Sequence, residues 1–392
     1  MKKSNKKNNQ SKKSVLVVTG TRAEYGHLRS TMDAIAAHPR LSLRLLVTGS
    51  HTLRAYGYTK REIIRDGYKI DCTVPVSQNS DMLSSLAQEL EGIKKYCVKH
   101  RPDCIVVLGD RDEAFAAAVV AAHLNIALAH IHGGDVTGPG VDEALRHAIT
   151  KMAHLHFPGT AKSARRIRAM WEERWRIIEA GSVALDILKY TPLLSRAALA
   201  KQLQLDTARK WLTILQHPTA FDTVPLSRQI SATLDALKKF PEHEKILLYP
   251  NTDTGSELFV RALKSLKGPR FHLYQSLPRP VFMSALKESE ALVGNSSSGI
   301  IELSALGTPA VDIGNRQAGR ERAKSVISVP YDARAIAAAI IHAQALKRRS
   351  KGYPLPSPYG GGDAGRGIAA QLARLLKRPE LLAKKAPILY EK

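Results

Sequence analysis

From Ser14 onward, short apolar runs alternate with amphipathic stretches. SVLVVTG (14–20) is a β-branched run of the kind buried on both faces of a parallel sheet. Helical spacing follows over 23–38, and LSLRLLVTG (41–49) reads as a second strand ending in glycine. Residues 81–100 predict a long amphipathic helix, CIVVLGD (104–110) a strand, 112–124 an alanine-rich helix and IALAHIHGG (126–134) another strand. In VDEALRHAITKMAHLHF (141–157) the apolar positions fall near helical spacing throughout, which predicts one helix. The alternation restarts at WLTILQHP (211–218), with a helix over 225–240. KILLYPN (245–251), FHLYQSL (271–277), ALVGN (291–295) and PAVDIGN (309–315) continue it as strands. Strand–helix alternation of this kind predicts parallel sheets covered by helices, an α/β fold. Two such blocks predict two doubly wound domains, 14–185 and 186–363, with 186–210 as the linker region. A C-terminal segment, 364–392, carries a helix to Leu376 that packs back on the first domain, and the two domains are expected to face a cleft.

Composition narrows the class. Of 392 residues, 44% are hydrophobic and 24% charged, which excludes wholesale disorder. Three cysteines, Cys72, Cys97 and Cys104, form neither a disulfide scaffold nor a CxxC pair. No run approaches the roughly 18 apolar residues a membrane span needs, and no apolar core follows the basic N-terminus as in a secretory signal. The expectation is a cytoplasmic protein with no membrane partner. Net charge is +24, but residues 1–13 hold six lysines and no acid, leaving +18 for the rest. That segment has no apolar periodicity and reads as a disordered solubilising tail. The remaining excess favours anionic ligands, and with no zinc finger, helix-turn-helix or aromatic RNA-binding motif beside it, no specific nucleic-acid partner is expected.

The chemistry gathers at the strand ends. Gly20-Thr21-Arg22, Gly49-Ser50-His51, Gly109-Asp110-Arg111 and Gly133-Gly134-Asp135 each close a strand, and ligands of open parallel sheets bind at those carboxyl ends. In GTRAEYGHL (20–28), Arg22 suits a phosphate or carboxylate, but the loop is neither G-x-G-x-x-G nor a P-loop. GNSSSGIIELSALGTP (294–309) brings Asn295, Ser296 and Ser297 to a helix N-terminus suited to a diphosphate, with Glu302 placed to accept ribose hydroxyls. Arg316, Arg320 and Arg322 follow the last strand, a phosphate-binding pattern. Asp110, Arg111 and Asp112, with His130, His132, Asp135, Asp142, Glu143, Arg146 and His147, supply carboxylates and imidazoles that can move protons. Asp142–Arg146 and Glu143–His147 are each four apart, a spacing that also suits surface ion pairs. Two histidines and an aspartate suggest a metal, but the strand-alternating spacing has no matching third ligand, so none is expected. His217 and Asn251 end the first two strands of the second domain.

In order along the chain, GTRAEYG, VLGDR, HIHGGDVTG, DEALRHAITK, QHP, GNSSSGIIE and the loop 314–321 resemble the UDP-N-acetylglucosamine 2-epimerase family from about Val15 to Leu375. Arg-Ala-Glu-Tyr, which includes Glu24, and Gly-Asn-Ser-Ser resemble its hydrolysing branch, which makes N-acetylmannosamine for sialic-acid-type sugars. The resemblance implies two Rossmann-like domains in a GT-B-like arrangement, uridine diphosphate held mainly by the second, the sugar facing the first, and a homo-oligomer, dimer or tetramer. In well-studied relatives the strand motif reads His-Ile-Glu-Gly-Gly, with the glutamate catalytic; here that position is His132.

The reaction so implied abstracts the C2 proton as UDP leaves C1, then adds water to the resulting glycal. It calls for no nicotinamide, metal or other cofactor. Expected catalytic residues are Asp110, His132, Asp142 and His217, the last near the leaving phosphate. Arg22, Glu24, Arg111, Asp135, Arg146, His147, Asn251, Asn295, Ser296, Ser297, Glu302, Arg316 and Arg320 are expected to bind substrate. A hydrolysing epimerase of another nucleotide sugar, such as a UDP-diacetamido-trideoxy sugar, is the nearest alternative; a GT-B glycosyltransferase is a further one.

Overall fold

The structure is a computed structural model in which residues 12–385 are described, other than 55, 56, 79, 137–140, 221 and 251–254. The chain divides into two compact units, one of Met1–Ile187 with Asp363–Lys392 and one of Leu188–Gly362. No helix of the described residues is long and apolar enough to cross a membrane.

The first unit holds β1 (Lys13–Thr19), β2 (Leu41–Val47), β3 (Cys72–Thr73), β4 (Cys104–Leu108), β5 (Ala127–Ile131) and β6 (Leu155–Phe157), in the order β3-β2-β1-β4-β5-β6. The second holds β7 (Trp211–Leu215), β8 (Glu244–Leu248), β9 (Phe271–Tyr274), β10 (Ala291–Gly294), β11 (Ala310–Ile313) and β12 (Val326–Val329), in the order β12-β11-β10-β7-β8-β9. All pairings are parallel. Counted within its own unit, each sheet has the doubly wound order 3-2-1-4-5-6, so both are α/β Rossmann-like sheets.

The β-branched runs are explained by burial on both faces. Val15 and Val17 of β1 pack with Tyr25, Leu28 and Met32, while Leu16 and Val18 face Ile93 and Ala117 on the other side. In the second unit Leu212 and Ile214 pack with Ile230 and Leu237, and Trp211 faces Leu199 and Leu203. Residues 186–210, read as a linker, therefore need correction. They contain the helix Arg196–Leu203, which covers the sheet face at Trp211, with the Arg196 guanidinium 3.8 Å from the indole ring.

Three further differences have local causes. The stretch read as one helix over 141–157 ends at Met152, and Leu155–Phe157 form the edge strand β6. Its one histidine, His156, points into a buried polar cluster, where Glu172 accepts from it at 3.1 Å. Lys13, assigned from sequence to the basic tail, instead opens β1, its ammonium 2.8 Å from Asp103; residues 1–11 lie outside the described chain. The edge strands β3 and β12 are two and four residues long, too short to show a period.

The helix Ala364–Leu375 packs on the helix Arg22–Ala37 so closely that a Cβ on Gly365 would lie 2.5 Å from the Ser30 backbone. Asp186 accepts the N–H groups of Ala364 and Gly365 at 3.1 and 2.7 Å, capping that helix from another segment.

Candidate functional site

In sheets of this order the connections diverge between strands 1 and 4, which opens a crevice at their carboxyl ends. That point lies between β1 and β4 in the first unit and between β7 and β10 in the second. Asp110, His132, His217 and Asn295 leave the ends of β4, β5, β7 and β10, while Asp142, Arg146 and His147 come from the helix Val141–Met152.

The first loop is locally self-sufficient. Thr21 caps the helix Arg22–Ala37 by accepting the Glu24 N–H at 3.3 Å, and Glu24 reaches back to the Gly20 N–H at 3.1 Å, a capping-box arrangement. Glu24 is buried, and its Oε1 has no hydrogen-bond partner among the described residues. Burial first, and then the charge of Glu113, push its carboxyl well above the usual range. Arg22 points outward and pairs with Glu62 at 3.0 Å. On the neighbouring strand end, His51 is fully buried between Thr19 (3.3 Å) and Thr59 (2.7 Å), and burial lowers its pKa to about 4.

The end of β4 carries Gly109, at φ +78°, then Asp110. Arg146, from the helix Val141–Met152, is 1% exposed and donates to Asp110 Oδ2, to Glu143 at 2.6 Å and to the Asp135 carbonyl at 3.0 Å. Arg146 is thus a buried brace for Asp110, and the surface pairing with Asp142 that its spacing allows is not what the fold makes. The Glu143–His147 pair does form, at 3.2 Å. Asp142 is exposed on the first turn of the same helix, and its charge helps raise the Asp112 carboxyl, after burial. Arg111 donates to the buried Glu113 at 2.9 Å.

At the end of β5 two histidines take different roles. His130 is fully buried, with Nε2 2.7 Å from the Gly109 carbonyl and Nδ1 3.1 Å from Thr150 Oγ1. A carbonyl only accepts, so Nε2 carries the proton and Nδ1 accepts from Thr150. Burial lowers its pKa to about 3, so His130 is a neutral strut. His132 stands at φ +63°, the left-handed region, with its N–H on the Phe157 carbonyl at 3.0 Å. Its Nδ1 lies 3.4 Å from Asp135 Oδ2 and its Nε2 3.2 Å from Ser182 Oγ. Burial alone would raise the Asp135 carboxyl, but His132 and a 2.6 Å hydrogen bond from Ser163 outweigh it and hold it low. The imidazole is therefore oriented by a carboxylate on one side and a hydroxyl on the other. Gly109 donates to the Ile131 carbonyl at 3.0 Å, so Asp110 and His132 leave adjacent, paired strand ends.

In the second unit, Asn295 is fully buried and stitches the switch point together. Its Oδ1 accepts the His217 N–H at 2.7 Å and its Nδ2 donates to the His217 carbonyl at 2.9 Å. Gln317 and Arg316 donate to the Asn295 carbonyl at 2.9 and 3.2 Å. Ser296 caps a helix of only five residues, Ser297–Ile301, followed by a 3-10 turn. Ser297 leads its first turn half-buried, and Glu302 stands at its C-terminus, paired with Arg279 at 3.3 Å. Arg322 is held by Asp312 at 3.1 Å, whereas the half-buried Arg320 guanidinium has no partner among the described residues. Asn251 lies outside the described residues.

Glu89, Glu113, Ser163, Ser182 and Arg279 are site neighbours that the sequence reading did not nominate. Only Glu113 carried a signal, as the last acid of LGDRDEA; the others arrive from helices and turns far along the chain. Among the described residues no group of three or more His, Cys, Asp or Glu side chains is arranged to hold a metal ion.

The family profile for UDP-N-acetylglucosamine 2-epimerase matches residues 33–373. The chain is 35% identical to a UDP-N,N'-diacetylbacillosamine 2-epimerase (hydrolyzing) of Legionella pneumophila, over 81% of this chain and 86% of that protein. It is 33% identical to the polysialic acid biosynthesis protein P7 of Escherichia coli, over 88% and 90%. The crystal structure of UDP-GlcNAc 2-epimerase from Neisseria meningitidis bound to UDP-GlcNAc superposes with a TM-score of 0.74 at 18% identity, covering 92% of this chain and 100% of that one, and so shares its fold. With the profile spanning most of both sheets, the chain belongs to the UDP-N-acetylglucosamine 2-epimerase family.

Proposed function

We propose that this family member is hydrolysing: it converts UDP-N-acetylglucosamine to free N-acetylmannosamine and UDP. The observation that carries the reading is the pair of unlike proton-handling groups on the register-paired ends of β4 and β5, Asp110 braced by Arg146 and His132 backed by Asp135. The C2 hydrogen of the sugar is weakly acidic because no free carbonyl adjoins it. Its removal becomes feasible when C1–O cleavage accompanies it. One group takes the proton from C2, the C1–O pair leaves with UDP, and a glycal forms. Water then adds at C1 as hydroxyl, releasing its other proton to solvent, while the other group returns a proton to C2 on the opposite face. Asp110 is assigned as the base and His132 as its partner, standing where the family glutamate would be, with the exposed Asp142 beside Asp112.

The second unit is assigned to the uridine diphosphate. The Asn295 bracket fixes His217, Ser296 and Ser297 at one switch point; Arg316, on the Asn295 carbonyl, and Arg320, four residues further on, are assigned as cations for the developing charge on the leaving group. The ribose role of Glu302 is kept, with Arg279 orienting its carboxylate.

Proton NMR of the reaction in deuterated water tests this directly. N-acetylmannosamine carrying deuterium at C2, plus UDP, is the expected outcome, with a loss of at least 100-fold in folded Asp110→Asn. Full turnover by that variant overturns the base assignment, and an undeuterated product overturns proton abstraction. A second reading, a UDP-diacetamido-trideoxy sugar as substrate, is favoured by the name of the Legionella relative. Turnover of that nucleotide sugar in place of UDP-N-acetylglucosamine selects it.

A further inference from the structure

At the outer edge of the first sheet, beyond β6, lies a groove of about 1040 Å³ unrelated to the strand ends above. It is lined by the helix Ala161–Ala169, the turn Arg174–Arg176 with the extended residues after it, and the helix Ala364–Leu375. Arg165, Arg168, Arg174 and Arg374 line it over a floor that includes Ile177 and Ile178.

The arginines of this region fall into two kinds. Arg176 is fully buried and donates to the carbonyls of Leu381 and Ala383 at 2.6 and 3.0 Å. Arg378 lies 4.6 Å from the Trp175 ring and 3.3 Å from Glu380, and Arg166 donates to the Gly134 carbonyl at 3.0 Å. These are structural. Arg165, Arg168 and Arg174 are exposed, and among the described residues none of them has an ion pair or a side-chain hydrogen bond. Among the described residues Arg374 bonds only to the neutral Gln371, at 2.9 Å. Arg165 and Arg168 sit three apart on one helix face, where like charges cost stability rather than add it.

The acids do not cancel this charge. Glu173 lines the groove, but one oxygen accepts from Trp175 at 3.1 Å and the other from Arg176 at 2.7 Å. That leaves the exposed Glu179 against four arginines. Trp175 is covered by Arg176 at 4.2 Å and Arg378 at 4.6 Å, so its faces offer no platform for stacking bases. The groove is concave and near the upper size of small-molecule sites. Guanidinium groups pair in bidentate fashion with phosphate oxygens.

We propose that this groove is a second ligand site, which binds a small anion bearing several phosphate charges. The test is calorimetric titration of the full chain with tripolyphosphate, using wild type and the triple variant R165Q/R168Q/R174Q. These residues lie on exposed surface, so the variant should keep its melting temperature. Expected is the loss of one equivalent of binding, or at least a tenfold weakening. Unchanged stoichiometry and affinity overturns the proposal. Phenylglyoxal modification of the wild-type protein, mapped by mass spectrometry, gives an answer that does not depend on the variant folding. Protection of Arg165, Arg168 and Arg174 by tripolyphosphate supports the site. No protection, protection by citrate in its place, or protection only by an RNA oligomer overturns it.

Discussion

A Cβ on Gly20 would lie 2.2 Å from Glu113 Oε1, so the first loop is shaped by a carboxylate from a distant helix. Glu113, Glu24 and Glu89 are all buried here, and the Arg111 charge acts to lower each of the latter two carboxyls. Glu89 accepts from Thr48 at 3.2 Å, but burial, and then the charge of Glu113, push its carboxyl up to about 8 from an ordinary 4.5. The folded chain therefore holds a proton that the unfolded chain releases. The stability from this group is complete below the unfolded value and is lost as pH rises through about 8. Glu24 adds in the same direction. The melting temperature of wild type should thus fall as pH rises from about 5 to 8, and Glu89→Gln, which keeps the neutral form, should flatten that fall. Parallel melting curves for the two proteins would refute the buried proton.

At the scale of elements, the strand ends decide what the loops can do. Gly294 closes β10 at φ +143°, and a Cβ there would meet the Leu215 carbonyl oxygen of β7 at 2.0 Å. The second switch point depends on that close approach, because it sets Asn295 against His217. Gly294→Ala should cost about 2–4 kcal/mol and weaken UDP binding more than tenfold, read by thermal melts and titration. Strand existence was legible where runs are long and β-branched, as in β1, β4 and β7. The edge strand β6 was not, since His156 mimics a polar helix position and only burial against Glu172 explains it.

The whole chain repeats one topology twice and returns at its C-terminus to the unit it began with. The returning segment is held by charge. Lys384 lies 2.7 Å from Glu172 and donates to the carbonyls of Lys151 and Ala153 at 2.7 and 2.8 Å. Burial would raise the Glu172 carboxyl, but His156, Lys151 and Lys384 overcome this and bring it down to about 2. Its stabilisation is present above the unfolded value near 4.5 and is lost as pH falls through about 2. Wild type should lose stability across that acid window. Glu172→Gln should be less stable at neutral pH and show a shallower acid dependence, and an unaltered acid limb would refute the role given to the cluster.

The local patterns of the chain were sufficient for the α/β class, for two sheets and for the motifs at their carboxyl ends, because burial on both faces and glycine-ended turns act over a few residues. The family resemblance added the reaction class through ordered motifs. Pairing across the sheets was beyond sequence. Arg146, spaced to meet Asp142, turns instead to Asp110, and Glu302, read as open to a ribose, meets Arg279. The burial of Glu24 and Glu89 within reach of the charge of Glu113 likewise depends on the order in which β2, β1 and β4 lie side by side. Strand order is a tertiary choice, made by which apolar faces cover one another. It alone decides which distant polar side chains must share a buried space and settle their charges there.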